Sequence, residues 1–145
     1  MAGYSAKPLW HKLGFKPDTE VLLIDAPARW SIPGAPAQLS LAREASGART
    51  SARAQAVIAF FDALGGLHEG LPPLAERIFP DGALWIAWPR RAGGHDSDIR
   101  EQDIRDVALP LGLVDVKVAA LDDDWSGLRL VWRVERRRAS PDGRG

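Results

Sequence analysis

The chain has 145 residues, contains no cysteine, and balances 19 lysine and arginine residues against 19 aspartate and glutamate residues. This length suits one domain with a single core, and the lack of cysteine excludes disulfides, thiolate metal ligands and cysteine nucleophiles. A neutral net charge provides no overall field to attract nucleic acid or an anionic membrane. No apolar run reaches the ~20 residues that span a bilayer, and the opening segment lacks the apolar core of a secretory signal, so we expect a cytoplasmic protein.

The chain opens with a polar arm that precedes the first buried strand. Residues 1–17 form this arm, in which LWHKLG predicts one helical turn ended by Gly14. We expect Tyr4 and the apolar residues of the turn to fold the arm back onto the domain. The aliphatic run at residues 21–24 is typical of a central strand covered on both faces, and prolines make residues 25–34 irregular.

The middle of the chain is predicted to alternate helices and strands. Residues 36–46 have weak helical character, and residues 48–53 are a candidate for a short edge strand. The run AVIAFF at residues 56–61 is a second buried strand. Apolar residues spaced by three and four predict a helix over residues 67–79, with its two prolines in the first turn or at a kink, and residues 83–88 form the next strand.

The last third of the chain predicts a helix and a hairpin. Ser97 or Asp98 can cap a helix whose buried stripe includes Ile104 and Ala108, and Gly112 ends it. Residues 114–121 form a strand, and the sequence DDDWSG at residues 122–127 is a turn of hairpin length. Apolar residues then alternate with polar ones from residue 128 to Val134, which predicts a strand with one buried face.

These elements predict an α/β fold, a Rossmann-like three-layer sandwich with a mostly parallel sheet and a C-terminal antiparallel hairpin. We expect three parts: an N-terminal arm at residues 1–17 packed on the domain, the α/β domain at residues 18–135, and a polar, basic, disordered tail at residues 136–145.

The order of elements resembles a trimmed class I methyltransferase over about residues 20–135. The strand AVIAFFD, the segment PDGALWIAWP, the helices after each and the terminal hairpin carry this resemblance. The chain is also similar to a bacterial family of small methyltransferase-like proteins of unknown function, through Gly3-Tyr4-Ser5, Pro8-Leu9, Lys12-Leu13-Gly14, Trp88-Pro89 and residues 107–115 and 125–131. The resemblance implies the fold and brings no activity with it.

A class I methyltransferase places a glycine-rich turn after its first strand, because only glycine lets the backbone approach the cofactor closely. This chain has DAPARW at residues 25–30 instead, where Pro27 lacks an amide donor and Trp30 adds bulk. The acidic residue expected at the end of the second strand has no clear counterpart. Glu44 is the nearest, and the helical pattern places it on a helix. We therefore expect no cofactor, with S-adenosylmethionine as the alternative.

Four charged residues follow predicted strands and are expected to converge on one rim of the sheet: Asp25, Asp62, Arg90 and Arg91. Ligands of open α/β sheets bind outside the carboxyl ends of the strands, and arginines there can receive a phosphate or carboxylate. The competing interpretation is a solvated loop. His95 and the neighbouring aspartates lack the spacing of a metal site, and the chain has no G-x-S-x-G elbow for a hydrolase nucleophile.

Of six tryptophans, three fall on predicted strands and belong to the core. Trp10, Trp30 and Trp125 fall in the arm or in loops, and they would form an interaction surface if they cluster outside the domain. A basic run at residues 136–138 suits either a solvated terminus or a contact with nucleic acid.

The sequence thus favours a non-catalytic, methyltransferase-like protein that binds a protein partner or a small anionic ligand. The alternative is an S-adenosylmethionine-dependent methyltransferase with an atypical cofactor loop. A third, weaker class is a nucleic-acid accessory protein that uses the basic run.

Overall fold

The computed structural model describes residues 8–45 and 52–137. Within these ranges six strands form one sheet: β1 (Glu20–Ile24), β2 (Ser40–Glu44), β3 (Ala56–Phe60), β4 (Ala83–Pro89), β5 (Leu113–Ala120) and β6 (Trp125–Trp132). The same ranges contain the helices α1 (Leu9–Lys12), α2 (Leu64–Arg77), α3 (Glu101–Leu111) and α4 (Val134–Arg137), with a 3₁₀ turn at Arg91–Gly93.

The strand order in the sheet is β2-β1-β3-β4-β6-β5. The first four strands are mutually parallel, and β6 runs antiparallel to both β4 and β5. The predicted mostly parallel sheet with an antiparallel C-terminal pair is therefore confirmed. The hairpin places β6 inside the sheet and leaves β5 at one edge and β2 at the other.

The two faces of the sheet are covered by different kinds of structure. On one face, which we call the α2 face, helices α2 and α3 bury the alternate residues Val57, Ala59, Leu84 and Ile86. On the other, the α1 face, the cover consists of α1 and the irregular segment 25–39. Their apolar side chains, Leu13, Phe15, Trp30, Ile32 and Leu39, pack on Val21, Leu23, Ile58, Phe60 and Trp85. The third layer of the sandwich is thus largely non-helical.

The described part of the arm, residues 8–17, packs on the α1 face through Leu13 and Phe15. The turn α1 is followed by Gly14, whose φ of 83° is in the left-handed region that favours glycine. The indole of Trp85 donates a hydrogen bond to the carbonyl of Leu13 at 3.0 Å, so a buried core donor is satisfied by the arm itself. Tyr4 lies outside the described residues.

Asp98, one of the two residues predicted to cap α3, caps α2 instead. Helix α3 begins at Glu101, and the carboxylate of Asp103 accepts a hydrogen bond from the amide of Arg100 at 2.7 Å. The Asp98 carboxylate instead accepts from the first amide of α2, on Leu64, at 2.8 Å. The predicted C-terminal end of α3 at Gly112 is correct, and this glycine has a φ of 109°.

The prediction of a helix over residues 36–46 is wrong. Residues Ser40 to Glu44 form β2, in parallel register with Glu20 to Ile24 of β1. Its local pattern is weakly helical because an edge strand needs few buried residues, and pairing with β1 overrides that preference.

Smaller differences occur at other elements. The candidate edge strand at 48–53 falls mostly outside the described residues, and Ala52 and Arg53 are not in a strand. Pro72 and Pro73 lie in the interior of α2 rather than in its first turn. Val134 begins α4 and is 58% exposed, so it does not extend the buried face of β6.

The tail prediction is covered only in part. Arg136 and Arg137 lie in α4, and residues 138–145 lie outside the described ranges. In residues 8–45 and 52–137, no helix has the length and apolar character needed to cross a membrane.

Candidate functional site

The chain direction through the sheet changes between β1 and β3. These strands are neighbours, but the chain leaves β1 for β2 on one side and leaves β3 for β4 on the other. Open α/β sheets bind ligands at the carboxyl ends of strands at such a switch point, because the two connections diverge there and leave a crevice. A cleft of about 610 Å³ opens at this place.

This acidic cleft, as we name it, is lined by the ends of β1, β2 and β3 and by α2. Its charged residues are Asp25, Glu44, Asp62, Glu69 and Arg77. Its apolar lining comes from Ile24, Phe60, Phe61, Pro73 and Leu74. Among the described residues that line the cleft, four carboxylates and one guanidinium therefore surround a partly apolar space.

Glu44 lies at the end of the second strand, the position at which a methyltransferase is expected to carry an acidic residue. It is the last residue of β2, in register with Ile24 of β1, and it lies on a strand rather than on a helix. Its carboxylate accepts a hydrogen bond from Arg77 Nη1 at 2.7 Å, with both side chains largely buried. Arg77 Nε also donates to the carbonyl of Ala52 at 2.7 Å, so this guanidinium ties α2 to the edge of the sheet.

Two backbone features shape the cleft. Asp25 has a φ of 56°, which is uncommon for a residue with a side chain, and its amide donates to the carbonyl of Glu44 at 3.0 Å. Gly70 lies in α2 where a Cβ would come within 2.7 Å of the Phe61 ring. The helix can therefore approach the ring closely because it has no side chain at this position.

The four residues of the predicted rim do not form one group. Asp25 and Asp62 line the acidic cleft, while Asp62 and Arg91 line a second, more open depression beside His95. Arg90 Nη1 donates to the carbonyl of Asp122 at 3.0 Å and so braces the β5–β6 turn. The sequence correctly indicated that these residues follow strand ends, but the direction of each side chain is set by its contacts in the folded protein.

The depression near Arg91 also contains a histidine and acids. His95 Nε2 lies 2.8 Å from Asp124 Oδ1, with both side chains well exposed. In the part of the chain that the structure describes, no three histidine, aspartate or glutamate residues are grouped so as to hold a metal ion.

The three tryptophans proposed as an interaction surface lie on the α1 face, but they do not all lie outside. Trp30 is only 7% exposed, and its indole donates to Asp122 Oδ2 at 2.9 Å. Phe60 lies between Trp30 and Trp125, with ring centroids 5.1 Å and 5.0 Å away in edge-on geometry. Trp125 and Trp10 are half-buried against the same cluster. The condition that all three cluster outside is therefore not met for Trp30.

The segment after β1 is fixed over this cluster. Arg43 donates to the carbonyl oxygens of Pro27 and Trp30, so β2 holds the turn that begins at Asp25. The first glycine after β1 is Gly34. This turn serves as a hydrophobic cover for the α1 face, and its glycine-free sequence is consistent with that structural role.

Comparison with solved structures identifies the architecture. Magnesium protoporphyrin IX methyltransferase from Synechocystis PCC 6803, solved with bound SAM, matches with a TM-score of 0.50 and 14% identity over 69% of this chain and 49% of that one. The fibrillarin pre-rRNA processing protein of Methanococcus jannaschii matches with a TM-score of 0.51 and 13% identity over 88% of this chain and 70% of that one.

These likenesses concern the fold alone at such low identity. This chain spans about half the length of the Synechocystis enzyme. No family model matches the sequence, and the search of curated proteins found no match. The six-stranded sheet, with its antiparallel C-terminal pair, resembles a truncated class I methyltransferase fold.

Proposed function

We propose that this protein is a methyltransferase-like binding protein whose ligand is a small, positively charged molecule with hydroxyl groups, held in the acidic cleft. The observation that carries the proposal is the set of four carboxylates around a cleft at the switch point of the sheet. General rules for open α/β sheets favour this location for a ligand. The negative charges of the lining residues favour a ligand with a positive charge.

The charge balance supports a cation over the anion that the sequence suggested. Two unit charges 4 Å apart interact with about 1 kcal/mol in water and about 4 kcal/mol at the effective dielectric of a protein surface. An anion in the cleft would face Asp62 and Glu69, while Arg77, the guanidinium among the described lining residues, is already paired with Glu44. Arg90, which was expected to receive an anion, instead bonds the β5–β6 turn.

The position of Glu44 supports a ligand that also carries hydroxyl groups. A carboxylate is an acceptor with several lone pairs, so Glu44 can accept further hydrogen bonds beside its contact with Arg77. The apolar side chains of Phe61 and Leu74 offer a surface for a flat ring. A cationic nucleoside combines these properties, and S-adenosylmethionine, the ligand bound in the Synechocystis enzyme, is the first one to test.

A binding role rather than methyl transfer is supported by the aromatic cluster of Trp30, Phe60 and Trp125. Its packed rings fill the α1-face side of the β3 carboxyl end and leave no open space there for an acceptor molecule. The second candidate function is a methyltransferase with an atypical cofactor loop, and the specific observation that favours it is Glu44 at the end of β2.

The test is calorimetric titration of the full chain with S-adenosylmethionine, its uncharged thioether product S-adenosylhomocysteine, adenosine and AMP. We expect S-adenosylmethionine to bind most tightly and AMP most weakly. Asp62→Asn and Glu69→Gln should each weaken the binding of the cation about fivefold, which corresponds to about 1 kcal/mol of lost attraction.

The matched controls are Asp18→Asn and Glu135→Gln, which remove the same charges outside the cleft lining. They should leave the affinity unchanged. Tighter binding of AMP than of adenosine, or the same loss in both pairs of variants, would contradict the proposal. Methyl transfer from bound S-adenosylmethionine to an acceptor would instead establish the second candidate.

A further inference from the structure

The ion pair between Arg77 and Glu44 is largely enclosed by the protein. The two side chains are 11% and 16% exposed. Arg77 Nη1 lies 2.7 Å from one carboxylate oxygen of Glu44 and 3.3 Å from the other. Water and salt screen an enclosed pair much less than an exposed one, and separating its members would leave an enclosed charge without a partner. Each side chain therefore holds the other in place.

Hydrogen bonds, rather than close packing alone, fix the direction of the Arg77 side chain. It lines the acidic cleft and also a second cavity of about 350 Å³, which is bordered by Leu22 and Ala42. Open space at two cavities gives the guanidinium room to turn, so its direction depends on the bonds that it donates. Nε donates to the carbonyl of Ala52 at 2.7 Å. Because the guanidinium is planar and rigid, a bond at Nε also fixes the direction of Nη1.

Glu44 keeps acceptor capacity for a ligand while Arg77 holds it. Nη1 is the guanidinium nitrogen that contacts its carboxylate, and a carboxylate offers about four lone-pair sites. Glu44 is the last residue of β2 and lines the acidic cleft, so the remaining sites are available to a donor from the ligand. The pair with Arg77 also offsets the negative charge of Glu44, which suits it to accept a hydroxyl rather than to attract a cation.

Building on the function proposed for the acidic cleft, on which this inference rests, we propose that Arg77 is a positioning residue that makes the cleft selective for ribonucleosides. Arg77 directs the Glu44 carboxylate so that it accepts a hydrogen bond from a ribose hydroxyl. Asp62 and Glu69 attract the charge of the ligand, and Glu44 selects its sugar. Loss of Arg77 therefore lowers the affinity for a ligand that carries the hydroxyl and spares one that lacks it.

The probes are adenosine and 2′,3′-dideoxyadenosine, two uncharged nucleosides that differ in the ring hydroxyls, titrated calorimetrically into the full chain. We expect the wild type to bind adenosine about tenfold more tightly, which is typical of a hydrogen bond to a charged group. Arg77→Met keeps the length of the side chain without its donors. It should reduce this preference to about twofold or less and leave the affinity for dideoxyadenosine nearly unchanged. Arg77→Lys keeps a charged donor and should retain most of the preference.

The matched control is Arg29→Met, which removes an exposed guanidinium outside the cleft lining and should leave the preference unchanged. If Arg77→Met fails to fold because Glu44 loses its partner, the Nε–H resonance of Arg77 in the wild type provides the test. It should move when adenosine is added and far less when dideoxyadenosine is added. An equal loss of affinity for both nucleosides in Arg77→Met, an undiminished preference for adenosine, or equal movement of the resonance would overturn the proposal.

The wild-type titrations separate a failure of this inference from a failure of the cation-binding function. Equal affinities for the two nucleosides, or no binding of adenosine, would refute the role of Arg77. The cation-binding function would still stand if S-adenosylmethionine binds more tightly than AMP. A wild type that binds neither adenosine nor S-adenosylmethionine would refute both.

Discussion

Trp30 is a large buried side chain of the segment after β1, so its removal tests the role of that segment. The side chain is 7% exposed, packs edge-on against Phe60 at 5.1 Å and donates to Asp122 at 2.9 Å. Replacing a buried tryptophan with alanine costs about 3–5 kcal/mol. Because one edge of the indole reaches the partly exposed Asp122, we expect Trp30→Ala to lie in the lower half of that range.

A second substitution separates packing from hydrogen bonding. Trp30→Phe keeps most of the ring contact and loses the bond to Asp122, so it should lower the free energy of unfolding by about 1–2 kcal/mol. Trp10→Ala removes a half-buried ring from α1 and serves as the control. It should lower the free energy of unfolding by less than half as much as Trp30→Ala does. The free energy of unfolding is measured by urea titration with far-UV circular dichroism, since fluorescence changes when a tryptophan is removed.

A loss below about 1 kcal/mol in the free energy of unfolding of Trp30→Ala would be far less than burial of the ring requires. The segment after β1 would then lie loosely on the sheet, and its proposed role as the third layer would be wrong.

Three further substitutions test individual contacts. Asp98→Ala removes the carboxylate that caps α2 and should lower stability by about 1 kcal/mol in urea unfolding. Gly70→Ala places a methyl group 2.7 Å from Phe61 and should cost about 1–3 kcal/mol in the same assay, despite the higher helix propensity of alanine. The hydrogen bond from Arg105 holds the pKa of Asp115 below its usual 3.8. Asp115 therefore stabilises the fold above that pH, and this contribution is lost as the pH falls through its lower folded-state pKa. Asp115→Asn should reduce stability at pH 6 and do so much less at pH 2.

The strands with continuous apolar runs could be predicted from sequence because their signal is local. β3 and β4 are covered on both faces, so nearly every residue is apolar and the run itself marks the strand. The spacing of Ile104 and Ala108 likewise marks the buried side of α3. These elements fix the order of strands and helices, which is enough for the class of fold.

The second strand could not be predicted because its stability comes from pairing. β2 has the sequence SLARE and lies at the edge of the sheet with most residues exposed, so nothing local distinguishes it from a helix. This error moved Glu44 away from the carboxyl edge and concealed one wall of the acidic cleft. An acidic residue that closes a short segment between two predicted strands is the signal that could have indicated it.

The α1 face was misjudged for a related reason. The alternation in β6 indicated one buried face, formed by Leu128 and Leu130, and suggested that Arg129 points to solvent. The arm and the segment after β1 also cover the opposite face, so Arg129 is partly buried. A cover made of irregular segments leaves no periodic pattern in the sequence. For the same reason, the sequence places Trp30 in a surface loop.

In our proposal, Asp62 and Glu69 attract the cation that binds in the acidic cleft. The most direct measurement is calorimetric titration of S-adenosylmethionine and AMP into the wild-type chain and into an Asp62→Asn, Glu69→Gln double variant. We predict that the wild type prefers the cation and that the double variant loses about 25-fold in affinity if the two effects add. Preferential binding of AMP, or an unchanged affinity in the double variant, would show that these carboxylates do not select a cation.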